Sequence, residues 1–412
     1  MPLLLKLGIP PILLSVYWLC SPIIGVFLHP VLGHLTDRWG RRPFVLLLGG
    51  IGAAGLCLLP ILTPRLSGPA GVAMFLIIFG ILDSCHDLLL TPTRAAMNDI
   101  FPPEESERRC AVAGGIGKLI SLLCVAQLEG EAAFAGVGFA MSLVLAPQLM
   151  ASPGGASDPA STPEPEAGCA PQAATADQTT VGEEEQRRFP KGFLSIWLLN
   201  CTGWVALCLV SFGTTSAWAE KSGATPGSAN FDKAVQSASV VLIGSTIVFT
   251  LAGAFLPHIV RVCGDHFNAI VSSLVAFTVS MLSFAPGCPT WITGACVLFL
   301  IPPAYQIITN AVFGWLEVHT EFSASERGRL TGLLNSSLAV GQTVSAVATG
   351  PVVALAHGRI FAAFFLGAIL CTVVVMAVFV AKCYRRLRRS SSRRQVSVRS
   401  DLGAAMCPRT AA

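Results

Sequence analysis

Apolar residues in this chain gather in long continuous runs rather than in ten-residue alternations, the mark of a membrane barrel. A helix needs roughly 20 apolar residues to cross the hydrocarbon core of a bilayer. Eleven stretches approach that length: 11–34, 44–62, 71–92, 110–128, 132–150, 192–212, 234–256, 269–286, 290–313, 330–355 and 360–381. The pattern predicts an all-α polytopic membrane protein. Two segments interrupt it. Residues 151–190 contain ASPGGASDPASTPEPEAG and end in EEEQRRFPK. They have no apolar face to bury and predict a disordered linker. Residues 382–412 are basic and Ser-rich and predict a disordered tail. The expected organisation is a helical bundle over 1–150, the linker over 151–190, a six-helix bundle over 191–381, and the tail.

Composition narrows the class. Of 412 residues, 53% are hydrophobic and 12% charged, with a mean hydropathy of +0.67. Soluble domains carry about 25% charged residues. That excludes an ordinary cytosolic enzyme and a disordered regulator. The net charge is only +4, and its basic excess lies mostly in the tail, which excludes a nucleic-acid binder. Half of the fourteen cysteines lie inside apolar runs and read as small buried hydrophobes. With no CxxC pair and no metal-ligand spacing, neither a metal nor a cofactor is predicted.

Lys and Arg set the expected orientation. Alternate loops hold Arg38, Arg41 and Arg42; Arg108 and Arg109; Arg187, Arg188 and Lys191; Arg261; and Arg327 and Arg329. The opposite loops hold only Lys6, Arg65, Lys221, Lys233 and Arg359. The first set, the linker and the C-terminus are therefore expected in the cytoplasm, of a plasma-membrane or organelle protein. Eleven spans would leave Met1 outside with no basic leader region. A twelfth helix upstream is the expected repair.

The loop after the first run reads GHLTDRWGRRPF, residues 33–44. Gly33, Asp37, Arg38, Gly40, Arg41 and Arg42 fit G-x-x-x-D-R-x-G-R-R, which is similar to the loop signature of the major facilitator superfamily between its second and third helices. A carboxylate at a helix end can pair with a guanidinium, and the glycines allow close approach and a tight turn. Such pairs can latch two bundles and break when that side opens. The plainer alternative is that the arginines only anchor topology.

The likeness narrows further. Residues 7–33, LGIPPILLSVYWLCSPIIGVFLHPVLG, resemble the end of helix one and helix two of sucrose transporters, the plant sucrose–proton symporters and their animal relatives. Residues 80–100 resemble helix four of that family, with Asp83 and Arg94 on its Asp and Pro-x-Arg-Ala positions. Residues 330–351 resemble helix eleven, with Asn335, Gln342 and Gly350, and residues 300–315 resemble helix ten more loosely.

Charges at membrane depth are costly and therefore functional candidates. Asp83, Asp87 and Arg94 stand at i, i+4 and i+11, so they share one helix face. Arg offers a fork of donors that suits vicinal hydroxyls or a carboxylate, and a buried Asp can exchange a proton. An ion pair between helices is the structural alternative. The family resemblance implies sugar binding at Arg94 and proton coupling at Asp83. Asp87 and Gln342 join Arg94 as candidate substrate contacts, though Gln342 and Asn335 also suit helix–helix hydrogen bonding. Lys118, inside a span, is expected to snorkel to an interface.

Two departures from the family bear on sucrose recognition and on coupling. Pro11 stands where plant members carry histidine. At the end of the seventh helix, FGTTSAWAE (212–220) replaces a stretch with two aspartates; Gly213 and Thr215 take their places and only Glu220 remains. Coupling then falls to Asp83, with Asp87 or the retained Glu220 beside it. The expected function is transport of a sucrose-like sugar or glycoside with a proton across the bilayer. The alternative is a facilitative or non-transporting sensor or scaffold. An enzyme is not expected: Asp83 and Asp87 form a DxxxD, but no second Asp-rich helix end accompanies it.

Overall fold

Backbone N–H and C=O groups inside a bilayer must bond within their own segment, so each apolar run becomes a helix. The computed structural model describes residues 11–62, 68–127, 137–138, 141, 189–190, 192–224, 229–319 and 324–405, and among them there is no strand. The first half holds α1 (Pro11–Trp39), α2 (Arg42–Leu62), α3 (Gly68–Ile100) and α4 (Pro103–Gln127). The second holds α5 (Phe193–Lys221), α6 (Ala229–Ala254), α7 (Leu256–Cys263) and α8 (His266–Leu282). It continues with α9, which starts at Thr290–Ala295 and ends at Val312–His319, then α10 (Ala324–Leu355) and α11 (Phe361–Ala405). Among the described residues, seven helices are long and apolar enough to cross a membrane. The α7–α8 pair, bent by 96°, makes an eighth.

Ten of the eleven predicted runs coincide with helices. Most of the fifth (132–150) and nearly all of the linker lie outside the described residues. Two elements differ from expectation. α7 is a short helix between two runs, opened by Pro257 in its first turn and ended at Gly264, whose φ is 91°. Eight residues are too few for a span, so an apolar-run criterion passes over it. The second is the tail. α11 runs on to Ala405, beyond the expected start of disorder at 382, because residues 382–402 lack proline and are rich in arginine, a good helix former.

Many threonine hydroxyls within the spans bond inside their own helices. Thr202, Thr214, Thr246, Thr278 and Thr372 each donate to the carbonyl four residues back. Between helices, Trp197 Nε1 on α5 donates to the Leu333 carbonyl and Ser336 Oγ on α10, and Asn200 Nδ2 donates to Ser337 Oγ. The main buried apolar cluster lies in the second half, around Ile196, Leu207, Leu274, Phe277, Ile308 and Phe364. Large apolar side chains such as Phe27, Ile77 and Leu194 point outward, as lipid-facing residues do.

The most extensive contact between the halves is α1 against α10. Small residues make it possible. A Cβ on Gly33 would fall on the Gly328 carbonyl, and one on Gly332 would fall on the His29 carbonyl. A Cβ on Gly25 would stand 3.1 Å from that of Ala339. Glycine here removes side chains so that two backbones can touch, the device that drives helix association where lipid supplies no hydrophobic force.

α9 is irregular for a stated reason. Pro302 and Pro303 lack N–H groups in mid-helix, and π turns at Cys296–Leu300 and Ile307–Ala311 flank them.

Candidate functional site

α3 carries Asp83, Asp87 and Arg94 on one helix, as the spacing predicts, but the structure does not bring the three together. Asp87 turns to α1, where Ser21 Oγ donates to its Oδ2 at 2.8 Å. Arg94 crosses to the other half. It is 8% exposed; Nη1 donates to Asn335 Oδ1 on α10 at 2.9 Å, and Nη2 donates to the Thr309 carbonyl on α9 at 2.5 Å. Its guanidinium lies 4.0 Å from the centre of the Phe313 ring. Thr309 sits in the second π turn, so the irregularity of α9 places the carbonyl that receives Arg94. Asn335 Nδ2 donates in turn to Thr91 Oγ1, which also bonds His29 Nδ1, both at 2.9 Å. Four helices thus meet in one buried polar clasp. No described partner of Arg94 is a carboxylate.

A second set of contacts closes the same end of the molecule, here called the Asp37 end. Asp37 accepts from the backbone N–H groups of Gly328 at 2.9 Å and Arg329 at 2.8 Å, in the first turns of α10. A carboxylate near a helix N-terminus also meets a favourable dipole. Arg41 Nη1 holds Asp37 Oδ1 at 2.6 Å, and its Nε donates to Asp99 Oδ2 on α3 at 3.2 Å. The sequence pairs this carboxylate with arginine; its other partners, 291 and 292 residues away, are backbone amides. Gly40 links α1 to α2 with φ 87°, a left-handed conformation that suits glycine. Arg38 is exposed. Further across the same end, Asn98 donates to Glu317 on α9, Glu104 pairs with Arg261 on α7, and Glu107 pairs with His266 on α8.

Comparison with known proteins now bears on these halves. A family model of the Major Facilitator Superfamily matches residues 1–317. The chain belongs to the major facilitator superfamily. Among relatives, it is 30% identical over 149 residues to the human Membrane-associated transporter protein, covering 31% of this chain and 28% of that one. It is 33% identical over 130 residues to Sucrose transport protein SUC4 of Arabidopsis thaliana, covering 28% and 25%. It is 34% identical over 120 residues to human Proton-associated sugar transporter A, covering 26% and 16%. The chain thus aligns with between 16% and 28% of these relatives' length. Among solved structures, the human organic anion transporter MFSD10 superposes with a TM-score of 0.64 over 91% of this chain and 87% of that one, at 15% identity. The E. coli fucose:proton symporter FucP superposes at 0.57 over 91% and 93%, also at 15% identity. These two share the fold.

The superfamily fold places the remaining predicted residues as follows. Gln342 lies two turns beyond Asn335 on α10, and its buried Oε1 has no partner among the described residues. Glu220 lies at the opposite end of the molecule, where Oε2 accepts from the backbone N–H groups of Ile360 at 2.8 Å and Phe361 at 3.4 Å at the start of α11. That is the geometry of a helix cap. Glu220→Ala is therefore expected to lower stability by about 1 kcal/mol, read as a fall in thermal unfolding temperature in detergent. An unchanged unfolding temperature would refute the capping role. Lys118 does not snorkel. Its Nζ lies 4.4 Å from the ring centre of Tyr305 and 5.1 Å from that of Phe249, a cation–π seat between α4, α6 and α9. Among the described residues no group of three His, Cys, Asp or Glu side chains could hold a metal ion.

Sequence reasoning missed Glu107 and His266. Glu107 stands in PPEESERR, which reads as a solvated charged loop, and His266 follows an ordinary cap, Asp265. Nothing local in the sequence marks either as buried.

Proposed function

We propose that this chain is a secondary transporter of a sucrose-like sugar or glycoside, driven by protons and working by alternating access. The observation that carries the reading is how the halves meet at the Asp37 end. They are held by a carboxylate on two backbone amides and a guanidinium on an amide and a carbonyl. Polar contacts of this kind can part and reform as rigid halves rock. α3 carries Asp83 and Asp87 beside that interface, and a carboxylate accepts from sugar hydroxyls and can exchange a proton. In this reading Arg94 is spent on the clasp while the Asp37 end is shut and is freed for substrate when it opens; Asp87 and Gln342 contact the same substrate, and Asp83 carries the coupling proton. Relatives named for sucrose and sugar transport support the substrate class. The basic loops and the C-terminus face the cytoplasm.

Uptake of labelled sucrose, maltose and glucose into proteoliposomes tests the proposal. An inward proton gradient is expected to raise uptake of at least one sugar at least about tenfold over the collapsed gradient. Uptake that ignores the gradient would make the protein a facilitator. No uptake of any of the three sugars would favour a sensor or scaffold.

A further inference from the structure

Glu107 lies in the second turn of α4 and is only 5% exposed. Its Oε1 is 2.7 Å from Nε2 of His266, the first residue of α8, in the other half of the molecule. The carboxylate gets there through a notch. A Cβ on Gly314 of α9 would overlap the Glu107 carboxylate, and would stand 2.7 Å from His266 Nε2. The pair is thus assembled from three helices and joins the two halves at the Asp37 end.

The surroundings decide what the pair holds. Arg94 from α3 and Cys110 from α4 line the same small pocket as Glu107, with Asn98, Asn310 and Phe313. Arg94 is already engaged with Asn335 and Thr309. Glu104, also on α4, is paired with Arg261 of α7. Glu317 of α9 receives Asn98, and Asp265, next to His266, caps α8 through the N–H of Asn268. So His266 is the ring that meets the Glu107 carboxylate directly. A bare carboxylate buried against a neutral imidazole is an uncompensated charge, which is expensive. One proton on either partner removes that charge, as an imidazolium–carboxylate pair or as an imidazole hydrogen-bonded to a carboxylic acid. Burial raises Glu107 above the usual carboxylate range, against the downward pull of His266. Once the halves separate, water solvates the carboxylate and the reason to keep the proton is gone.

We propose that Glu107 and His266 form a proton-binding site assembled by closure of the Asp37 end, which takes up one proton as that end shuts and releases it as the end opens. The inference rests on the alternating-access reading above and adds a second place, apart from the coupling proton on Asp83, at which protons act on it. The sign follows by linkage: the shut state binds the extra proton, so acid favours the shut state and alkali the open one.

Cys110 is a built-in reporter, because it lines the pocket that opening would widen. The full chain in nanodiscs is treated with a membrane-impermeant maleimide from pH 6 to pH 8. Alkylation of Cys110 is followed by peptide mass spectrometry, each rate divided by that of the denatured chain at the same pH. The normalised rate is expected to rise at least about tenfold across this range in the native protein. It is expected to stay within about twofold in Glu107→Gln, which keeps the shape and a hydrogen-bonding group, and in His266→Gln. A direct charge effect of Glu107 on the thiol runs the other way, since a carboxylate disfavours a neighbouring thiolate. A flat native profile, or a folded variant of either kind that rises as the native chain does, would overturn the proposal. Sugar uptake by the same protein in proteoliposomes separates the two readings. Uptake with a flat profile removes the proton site and leaves the transporter. A sloped profile without uptake keeps the site and removes the sugar.

Discussion

Leucine in place of Gly332 is expected to hold the Asp37 end open. A single Cβ at this position already falls on the His29 carbonyl, so the backbones of α1 and α10 must part to admit a whole side chain. Overpacking of this kind costs about 1–3 kcal/mol where neighbours can shift, and here the neighbour is backbone. Because the open state separates α1 from α10, the cost falls on the shut state alone. The shut population should drop by about tenfold to a hundredfold relative to the open one. Cys110 alkylation should rise accordingly, and gradient-driven uptake should fall at least about tenfold while the protein still folds and elutes as a single species. Gly332→Ala should lie between the two. Native closure and native uptake in Gly332→Leu would mean that the α1–α10 seam is not the element that moves.

Arg94→Met separates what Arg94 does for stability from what it does for function. The guanidinium is buried, yet its described partners are an amide, a carbonyl and a ring. Removing a charge from such a place relieves a desolvation penalty of several kcal/mol. Against that stand the loss of two charge-assisted hydrogen bonds and two acceptors left behind, about 1–3 kcal/mol each. Methionine fills the length of the side chain and keeps contact with Phe313. Thermal stability is therefore expected to hold or rise by a few degrees, while uptake falls at least about a hundredfold. Stability and uptake lost together would make Arg94 a structural clasp alone. Uptake retained would remove it from the substrate path.

The sequence made the helices legible because bilayer burial demands long apolar runs, and ten of the predicted runs meet helices. α7 was not legible: eight residues with Pro257 in the first turn give neither the length nor the polarity of a span. The motif loop was legible as residues but not as a contact. Asp37 was readable as a partner for arginine because Arg41 is four residues away, whereas its amide partners lie at the far end of the chain. Asp83, Asp87 and Arg94 were correctly read as one helix face. A helix face does not fix where a long side chain ends, though, and Arg94 spans the interface while Asp87 stays within its own half. Glu220 survived in sequence where two carboxylates had gone, which suggested a coupling role; its place at the start of α11 gives it backbone donors instead. Glu107 was illegible because charged loops look alike whether or not another half closes over them.

The unmatched guanidinium on α3 also has an electrical meaning. A charge without a described counter-ion, carried by one half of a rocking molecule, moves in whatever field the membrane holds. A full crossing is worth about 2.3 kcal/mol per 100 mV, so a tenth of the field traversed by Arg94 is worth only about 0.2 kcal/mol. Voltage would then tilt the balance between the two states of this protein by less than a factor of two, leaving ligand and proton to set it.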